Sequence, residues 1–165
     1  MADDLYFRKR NRLEGYDYSE SGFYFVTTCV ENRENVFGSI TDSRCELSDY
    51  GKIFEKILHE TIALFPGIDL DYYVIMPDHV HLIIIINSTE EKKKAKSLSG
   101  IIGAVKSRSS AAIHQAGFKS FKWQPSFYDR IIRNERELFY IRQYIEQNPL
   151  RSEIDDEFAD NMPKL

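Results

Sequence analysis

The sequence contains little cysteine and no long apolar run, and each shortage excludes a class of protein. Its two cysteines, Cys29 and Cys45, have neither a metal-binding nor a redox spacing, which argues against a secreted disulfide scaffold and favours a reduced protein. The longest uninterrupted apolar run, residues 82–86, is too short to cross a bilayer. The first ten residues lack the apolar segment of a secretory signal. We therefore expect a cytoplasmic protein with no membrane segment.

The charge of the chain is unevenly distributed. The formal net charge is −4, but residues 153–165 hold five of the 26 acidic residues and only one of the 22 basic ones. The other 21 basic and 21 acidic residues balance, so the body of the chain is neutral. Within it, residues 92–108 carry six basic residues and no acid, and a second basic cluster lies at residues 8–12. This distribution neither requires nor excludes a polyanionic partner.

Local patterns predict strands and helices within one domain, residues 1–152. This domain begins with a basic arm at 1–20, and a flexible acidic tail follows it at 153–165. Aromatic and β-branched runs indicate strands, and the N-capping residues Ser48 and Asn134 indicate helix starts. The predicted strands are residues 22–30, 68–76 and 78–86, with a short one near 35–40. The predicted helices are residues 48–65, 98–116 and 134–148, and residues 121–132 are expected to be extended or irregular.

Two further signals define the fold class. The strands on either side of Pro77 are too close in sequence for a parallel crossover, so they should pair antiparallel. Glu137 occupies the capping-box position after Asn134, and Pro149 disfavours helix at the residue before it, so the last helix should end near Asn148. The pattern predicts an α+β fold in which helices pack on one face of an antiparallel sheet.

The segment Pro77-Asp78-His79-Val80-His81 carries the sharpest chemical signal. Side chains alternate along a strand, so His79 and His81 point to the same face and can grip one divalent metal ion. The alternative is a pair of histidines that are merely hydrogen-bonded at a strand end. A metal site also needs further ligands, and no nearby cysteine or histidine supplies one.

The last predicted helix offers another ligand. Tyr144 and Asn148 are four residues apart and therefore share a helical face. The Asn148 side-chain oxygen suits Mg²⁺ or Mn²⁺, and a tyrosine hydroxyl one turn away would lie beside a metal-bound phosphate. The alternative is that Tyr144 merely borders the apolar stripe of this helix. Ten tyrosines occur in the chain, so composition does not select one.

Three segments together resemble the single-tyrosine transposases of the HUH class, which include the IS200-like transposases, and in particular their REP-associated branch. These segments are YVIMPDHVHLIIII, IIGAVKSRSS and WQPSFYDRIIRNERELFYIRQYIEQNP. The opening RKRNRLEGYDYSESGFYFVTTCVENR resembles the same branch, so the likeness covers roughly residues 8–151. The ordered set of His-x-His, Trp-Gln and Tyr-Ile-x-x-Asn-Pro is more specific than any of its members.

The resemblance implies a ferredoxin-like or RRM-like antiparallel sheet and a C-terminal helix that bears the tyrosine. It implies that His79, His81 and Asn148 bind Mg²⁺ or Mn²⁺ and that Tyr144 is the nucleophile. The expected reaction is cutting and rejoining of single-stranded or hairpin DNA through a 5′-phosphotyrosine. One departure is visible, since Asp78 stands where these transposases usually have asparagine. Its carboxylate would change metal binding or, if it points away, have no effect.

Further residues are candidates for contacts with DNA. Basic side chains bind phosphates, and aromatic rings stack on unpaired bases. The predicted contacts are Arg8, Arg10, Arg12, Lys106, Arg108, Trp123 and Arg130. Phe127 and Tyr128 are further candidates for stacking, although core packing is the better prediction for Phe127. Arg130 has an alternative role as the partner of nearby acidic residues.

Two other functions remain open from the sequence. An RRM-like module that binds nucleic acid without cutting it, such as a domesticated transposase, would have a similar pattern. The second alternative function is that of a metal-dependent hydrolase in which Tyr144 has only a structural role. The resemblance also leaves open a monomer or a homodimer, in which the tyrosine helix serves its own or its partner's histidines.

Overall fold

A computed structural model describes residues 12–88 and 96–153, with the side chains of residues 152 and 153 left out. The predicted DNA contacts Arg8 and Arg10, most of the basic arm and almost all of the acidic tail lie outside the described residues. The strands are β1 (Gly22–Cys29), β2 (Gly38–Thr41), β3 (Arg44–Leu47), β4 (Ile68–Ile75), β5 (His79–Ile86) and β6 (Tyr128–Ile132). The helices are α1 (Asp49–Ala63), α2 (Leu98–Gln115) and α3 (Glu135–Glu153), and a 3₁₀ turn lies at Glu31–Arg33.

The central sheet has four strands in the order β4-β5-β1-β6, and every neighbouring pair is antiparallel. The strands β2 and β3 form a separate hairpin. The predicted antiparallel pairing on either side of Pro77 is confirmed, because Ile75 pairs with Val80 across that turn. The predicted α+β fold with an antiparallel sheet is therefore confirmed.

Helices cover both faces of the sheet, which corrects the prediction that they pack on one face. The helices α1 and α2 pack on one face, where the larger core contains Tyr24 and Val26 of β1 and the even-numbered residues of β5. The helix α3 lies on the opposite face, over Phe25 and Ile83. Because successive side chains of a strand alternate between faces, β5 must be apolar on both sides once it leaves its two histidines. This explains the run of four isoleucines that ends β5.

Two of the predicted helix starts follow from capping. The Ser48 hydroxyl accepts a hydrogen bond from the Gly51 N–H and donates one to the Val36 carbonyl, which ties the start of α1 to the segment before β2. The Asn134 side chain accepts from the Glu137 N–H at 2.8 Å, as the capping-box pattern predicts. The Glu137 carboxylate returns to the Arg133 N–H rather than to that of Asn134.

The structure corrects the predicted end of one helix and defines two other segments more closely. The helix α3 does not end at Asn148 but continues through Pro149 to Glu153. Pro149 removes one backbone donor, yet it is itself buried, and its packing offsets the local cost. The short strand predicted near residues 35–40 is present as β2, which forms a hairpin with β3. The segment expected to be extended or irregular contains a regular strand, β6, at the sheet edge.

The described part of the chain contains no helix that is both long enough and apolar enough to cross a membrane.

Two glycines within helices should respond in opposite ways to alanine. A Cβ at Gly51 would collide with the Phe37 backbone carbonyl, whereas a Cβ at Gly103 of α2 meets no atom within 4 Å. We expect Gly103→Ala to stabilise the protein by about 0.5–1 kcal/mol, because alanine costs less backbone entropy in a helix. Gly51→Ala should destabilise it by about 1–3 kcal/mol or more through overpacking. Urea denaturation measures both, and equal effects of the two changes would contradict the predicted packing.

Candidate active site

The two predicted metal-binding histidines lie at the start of β5 on the face that α3 covers. Their Nε2 atoms converge to 3.2 Å, with the ring centroids 4.7 Å apart. Both side chains are largely withdrawn from solvent, since His81 is 5% exposed and the His79 side chain 14%. The alternation of a strand therefore brings the two imidazoles together as the sequence predicts.

A separate oxygen atom orients each histidine through its other ring nitrogen. His81 Nδ1 lies 2.7 Å from the Thr27 hydroxyl, which reaches it from the neighbouring strand β1. His79 Nδ1 lies 2.6 Å from Asp78 Oδ1. A carboxylate can only accept a hydrogen bond, so His79 donates from Nδ1 and keeps a lone pair on Nε2. Such partners on the outer nitrogen are the usual way in which proteins orient metal-binding histidines.

Burial keeps both histidines neutral. It lowers the pKa of His81 to about 3, with a smaller contribution from the neighbouring charge of His79. Burial also lowers the pKa of His79, although the hydrogen bond and the negative charge of Asp78 oppose that shift. A histidine binds a metal ion through the lone pair of its neutral form, so this environment suits ligation.

The spacing of the two nitrogens fits a divalent metal ion. Nitrogens about 2.0–2.1 Å from one cation are about 3 Å apart when they occupy neighbouring positions around it. The 3.2 Å between the two Nε2 atoms matches that spacing. No group of three histidine, cysteine, aspartate or glutamate residues within residues 12–88 and 96–153 is arranged to bind a metal. A third protein ligand in the described region must therefore be of another type.

Asn148 is suited to that role. It is 8% exposed and continues the buried stripe of α3 after Ile141 and Ile145, which pack on the sheet. Residues three and four apart share a helical face, so Asn148 faces the sheet on the side of α3 that carries the stripe. An asparagine side-chain oxygen is a ligand that Mg²⁺ and Mn²⁺ accept.

Tyr144 lies directly beside the histidines. Its ring centroid is 5.3 Å from that of His81 and 6.2 Å from that of Phe25, both in edge-to-face arrangements. The Arg151 guanidinium carbon lies 5.4 Å from the centroid of the Tyr144 ring. The structure thus brings a phenol, a cation and two imidazoles to one place, although His81 and Tyr144 are far apart in sequence.

Ion pairs hold the helix that carries Tyr144. Arg142 makes two hydrogen bonds of 2.7 and 2.8 Å with the Asp71 carboxylate of β4. Asp71 lies where the β4–β5 register shifts by one residue, and such a bulge redirects side chains. At the other end of α3, Glu137 accepts from Arg130 Nε of β6 at 2.5 Å. Polar contacts to both edge strands therefore fix α3 over the sheet.

One of the predicted DNA contacts, Trp123, is wrong, and Lys106 stays a prediction. Trp123 is 9% exposed, its indole N–H donates to the Ser109 hydroxyl, and the rings of Phe37, Phe54 and Phe121 surround it. Its ring is thus part of the core and has no free face for a base. Lys106 is partly buried, and its ammonium donates to the carbonyls of Gln124 and Ser126 at 2.6 Å. That ammonium holds the segment before β6 and keeps a third N–H, so its contact with a phosphate stays a prediction.

Three other predicted DNA contacts stay predictions, and the structure gives each a partner within the protein. Arg108 is exposed and donates to Thr61 of α1, on the face of the sheet away from the histidines. Arg12 lies 3.9 Å from Asp129 and stacks over the Phe127 ring. Arg130 pairs with Glu137, the alternative role that the sequence left open. The prediction that Phe127 belongs to the core is confirmed.

Sequence reasoning missed several residues of the site. Thr27 is 54 residues from His81, and only the pairing of β1 with β5 brings them together. The contact of Arg151 with Tyr144 is equally invisible in local patterns, because it depends on the direction of the two side chains. The sequence offers Tyr128 only as one of several aromatic residues that could stack on a base. Its place opposite Thr27 in the β1–β6 register puts it on the histidine face, 48% exposed.

Comparison with known proteins identifies the family. Residues 19–148 match the family described as transposase IS200 like. An uncharacterized protein of Haemophilus influenzae is 32% identical over 172 aligned residues, covering 94% of this chain and 96% of the relative. A second protein of the same organism, provisionally named a REP-associated tyrosine transposase, is 24% identical, and the alignment covers 82% of this chain and 74% of that relative.

Solved structures share the fold. The structure of a REP-associated tyrosine transposase bound to a REP hairpin superposes with a TM-score of 0.64 at 20% identity, covering 86% of this chain and 73% of the other. A provisionally assigned transposase of Deinococcus radiodurans has a TM-score of 0.52 at 21% identity, with coverages of 82% and 95%. The likeness to REP-associated proteins agrees with the branch that the sequence predicts. The matched residues include both histidines, Tyr144 and Asn148, and the chain belongs to the IS200-like transposase family.

Proposed function

We propose that this transposase cuts and rejoins single-stranded DNA by transesterification, with Tyr144 as nucleophile and with Mg²⁺ or Mn²⁺ held by His79, His81 and Asn148. The observation that carries the proposal is the position of the Tyr144 ring, 5.3 Å from the ring of His81. A phenol placed beside two converging, neutral imidazoles is arranged for attack on a phosphate held at the same place.

The proposed chemistry is balanced without an external energy source. The Tyr144 oxygen attacks phosphorus, forms a new P–O bond and loses its proton. The bond from phosphorus to the 3′ oxygen breaks, and that oxygen takes up a proton to become a free 3′-OH. The protein is then linked to the 5′ phosphate as a phosphodiester. A second 3′-OH can attack the phosphotyrosine and reverse the reaction at a new junction, so joining needs no nucleoside triphosphate.

Each side chain of the site has a distinct part in this proposal. His79, His81 and Asn148 would hold the cation, which when bound offsets the charge that develops on the scissile phosphate. Thr27 and Asp78 orient the two imidazoles from behind. Arg151 lies near enough to the Tyr144 ring to bind an oxygen of a phosphate held there. Phe25 packs against both His81 and Tyr144 and limits their motion.

The proposed substrate is single-stranded DNA flanking a hairpin. Support comes from the structural neighbour, which was solved bound to a REP hairpin. Support from this chain comes from Tyr128, which shares a row across the sheet with Thr27 and His81. Strands are spaced about 4.8 Å apart, so two strand spacings separate Tyr128 from His81. An unpaired base next to the scissile phosphate would be within reach of the exposed Tyr128 ring.

The nucleophile can be tested with a matched pair of tyrosines on one helix. Wild-type protein, labelled single-stranded DNA from the flanks of its own gene and Mn²⁺ should give a covalent adduct on a denaturing gel. Tyr144→Phe should abolish the adduct, because the attacking oxygen is gone. Tyr140→Phe, one turn away and exposed, should leave it unchanged. Cleavage that survives in Tyr144→Phe would identify a hydrolase, and DNA binding by wild type without adduct or cleavage would identify a binding module.

The metal site can be tested through its more buried histidine. We expect His81→Gln to lose Mn²⁺ binding measured by calorimetry and to lower the adduct yield at least about 100-fold, because glutamine lacks the imidazole nitrogen. His59→Gln, which changes a histidine on α1 hydrogen-bonded to Tyr73, is the control and should bind Mn²⁺ normally. Undiminished Mn²⁺ binding in His81→Gln would place the metal elsewhere.

The stacking role of Tyr128 predicts a position-specific effect. Tyr128→Ala should weaken single-stranded DNA binding about 5- to 150-fold, as expected for the loss of one stacked base. Removing that base from the DNA should weaken binding to wild type but have little further effect on the variant. Tyr72→Ala, at the opposite edge of the sheet, is the control. If removing any one base weakens DNA binding by the same factor in wild type and in Tyr128→Ala, no base stacks on Tyr128.

A further inference from the structure

We propose that Arg33 and Asp78 are positioning residues, which together lock His79 in the tautomer and orientation that aim its Nε2 lone pair at the metal position. The inference rests on the proposed function for its biological meaning. Its geometry is independent of that function. It explains the departure noted in the sequence, an aspartate immediately before the first histidine.

The Asp78 carboxylate is fully engaged on both sides. Its Oδ1 lies 2.6 Å from His79 Nδ1, and its Oδ2 accepts from Arg33 Nε at 2.8 Å. Asp78 therefore points away from the meeting point of the two histidines and serves as an acceptor behind His79. A carboxylate held in this way can accept the Nδ1 proton but cannot supply one, so it selects the Nδ1–H form of the neutral ring.

The backbone at Arg33 adopts a strained conformation. Asn32 and Arg33 both have φ near 56°, in the left-handed region that a bulky side chain such as arginine rarely adopts. Folding tolerates such a backbone only where the surroundings enforce it. Here the guanidinium bridges two elements, since Nε binds Asp78 and NH1 lies 2.9 Å from Cys29 Sγ at the end of β1. Arg33 thus fixes the far oxygen of Asp78.

Backbone hydrogen bonds hold the turn that carries Asp78. The Val30 N–H donates to the Asp78 carbonyl, and the Val36 and Phe37 N–H groups both donate to the Pro77 carbonyl. The Met76 N–H donates to the His79 carbonyl across the turn. Because the backbone of the turn is anchored, the direction of the carboxylate depends on its two side-chain partners. Arg33 and His79 are those partners.

Removing the Asp78 side chain would allow the His79 ring to change in two ways. His79 would be free to place its proton on Nε2, where it would block the lone pair that faces His81. It would also be free to rotate, since no other hydrogen bond to its Nδ1 is present among the described residues. Either change weakens metal binding without removing a ligand. A positioning role therefore predicts a changed tautomer in the metal-free protein as well as a lower metal affinity.

The test uses the full chain labelled with ¹⁵N, first without metal and then titrated with Mn²⁺. Long-range proton–nitrogen spectra report which ring nitrogen of His79 carries the proton, and calorimetry reports Mn²⁺ affinity. Wild type should show Nδ1–H at His79. Asp78→Ala should shift His79 toward Nε2–H and weaken Mn²⁺ binding about 10- to 100-fold. The control, Glu60→Ala, removes an exposed carboxylate paired with Lys56 on α1 and should change neither.

Two further variants keep the test decisive if Asp78→Ala folds poorly. Arg33→Gln leaves His79 and its acceptor in place, so it should cause the same change of tautomer and affinity to a smaller degree. Asp78→Asn offers one acceptor oxygen for two donors and should also fall between wild type and Asp78→Ala. An unchanged His79 tautomer in all three variants would overturn the proposal. If wild type shows the Nδ1–H form but binds no Mn²⁺ at the histidines, the positioning of His79 stands and the proposed metal site fails.

Discussion

The antiparallel pairing of β1 with β5 is the constraint on which the site depends. Its register sets Thr27 opposite His81, Phe25 opposite Ile83 and Cys29 opposite His79. A slip of one residue would turn every side chain of one strand to the other face. Thr27 would then leave His81, and the apolar floor beneath α3 would be lost. Core packing on the opposite face of the sheet therefore also determines the geometry of the histidines.

The two faces of the sheet divide structure from chemistry. The face toward α1 and α2 holds the larger apolar core, to which Trp123 and the even-numbered residues of β5 belong. The face toward α3 has a small cluster around Ile141 and Ile145, and the histidines border it. With less apolar contact available, the directional ion pair of Arg142 with Asp71 helps to set the rotation of α3. That rotation decides where Tyr144 points.

Sequence patterns succeeded where the deciding forces are local and failed where distant segments decide. The N-caps at Ser48 and Asn134 and the shared face of His79 and His81 involve neighbours in the chain, and all three predictions are confirmed. The prediction for Trp123 is wrong because the rings of Phe37 and Phe54, from two other segments, enclose it together with that of Phe121. The predicted end of α3 at Asn148 is wrong because the burial of Pro149 offsets the local preference of proline against a helix.

The sequence by itself determined the α+β class, the pairing of the strands around Pro77, the shared face of the two histidines and, through its ordered motifs, the transposase family. These follow from periods of two and 3.6 residues, from short connections and from the identity of particular residues. Only the tertiary structure decided that Thr27 and Asp78 orient the imidazoles, that Arg33 holds Asp78, and that Tyr144 meets His81. The reason is that strand order, register and helix placement arise from burying one shared core, and no local pattern records which distant residues that burial brings into contact.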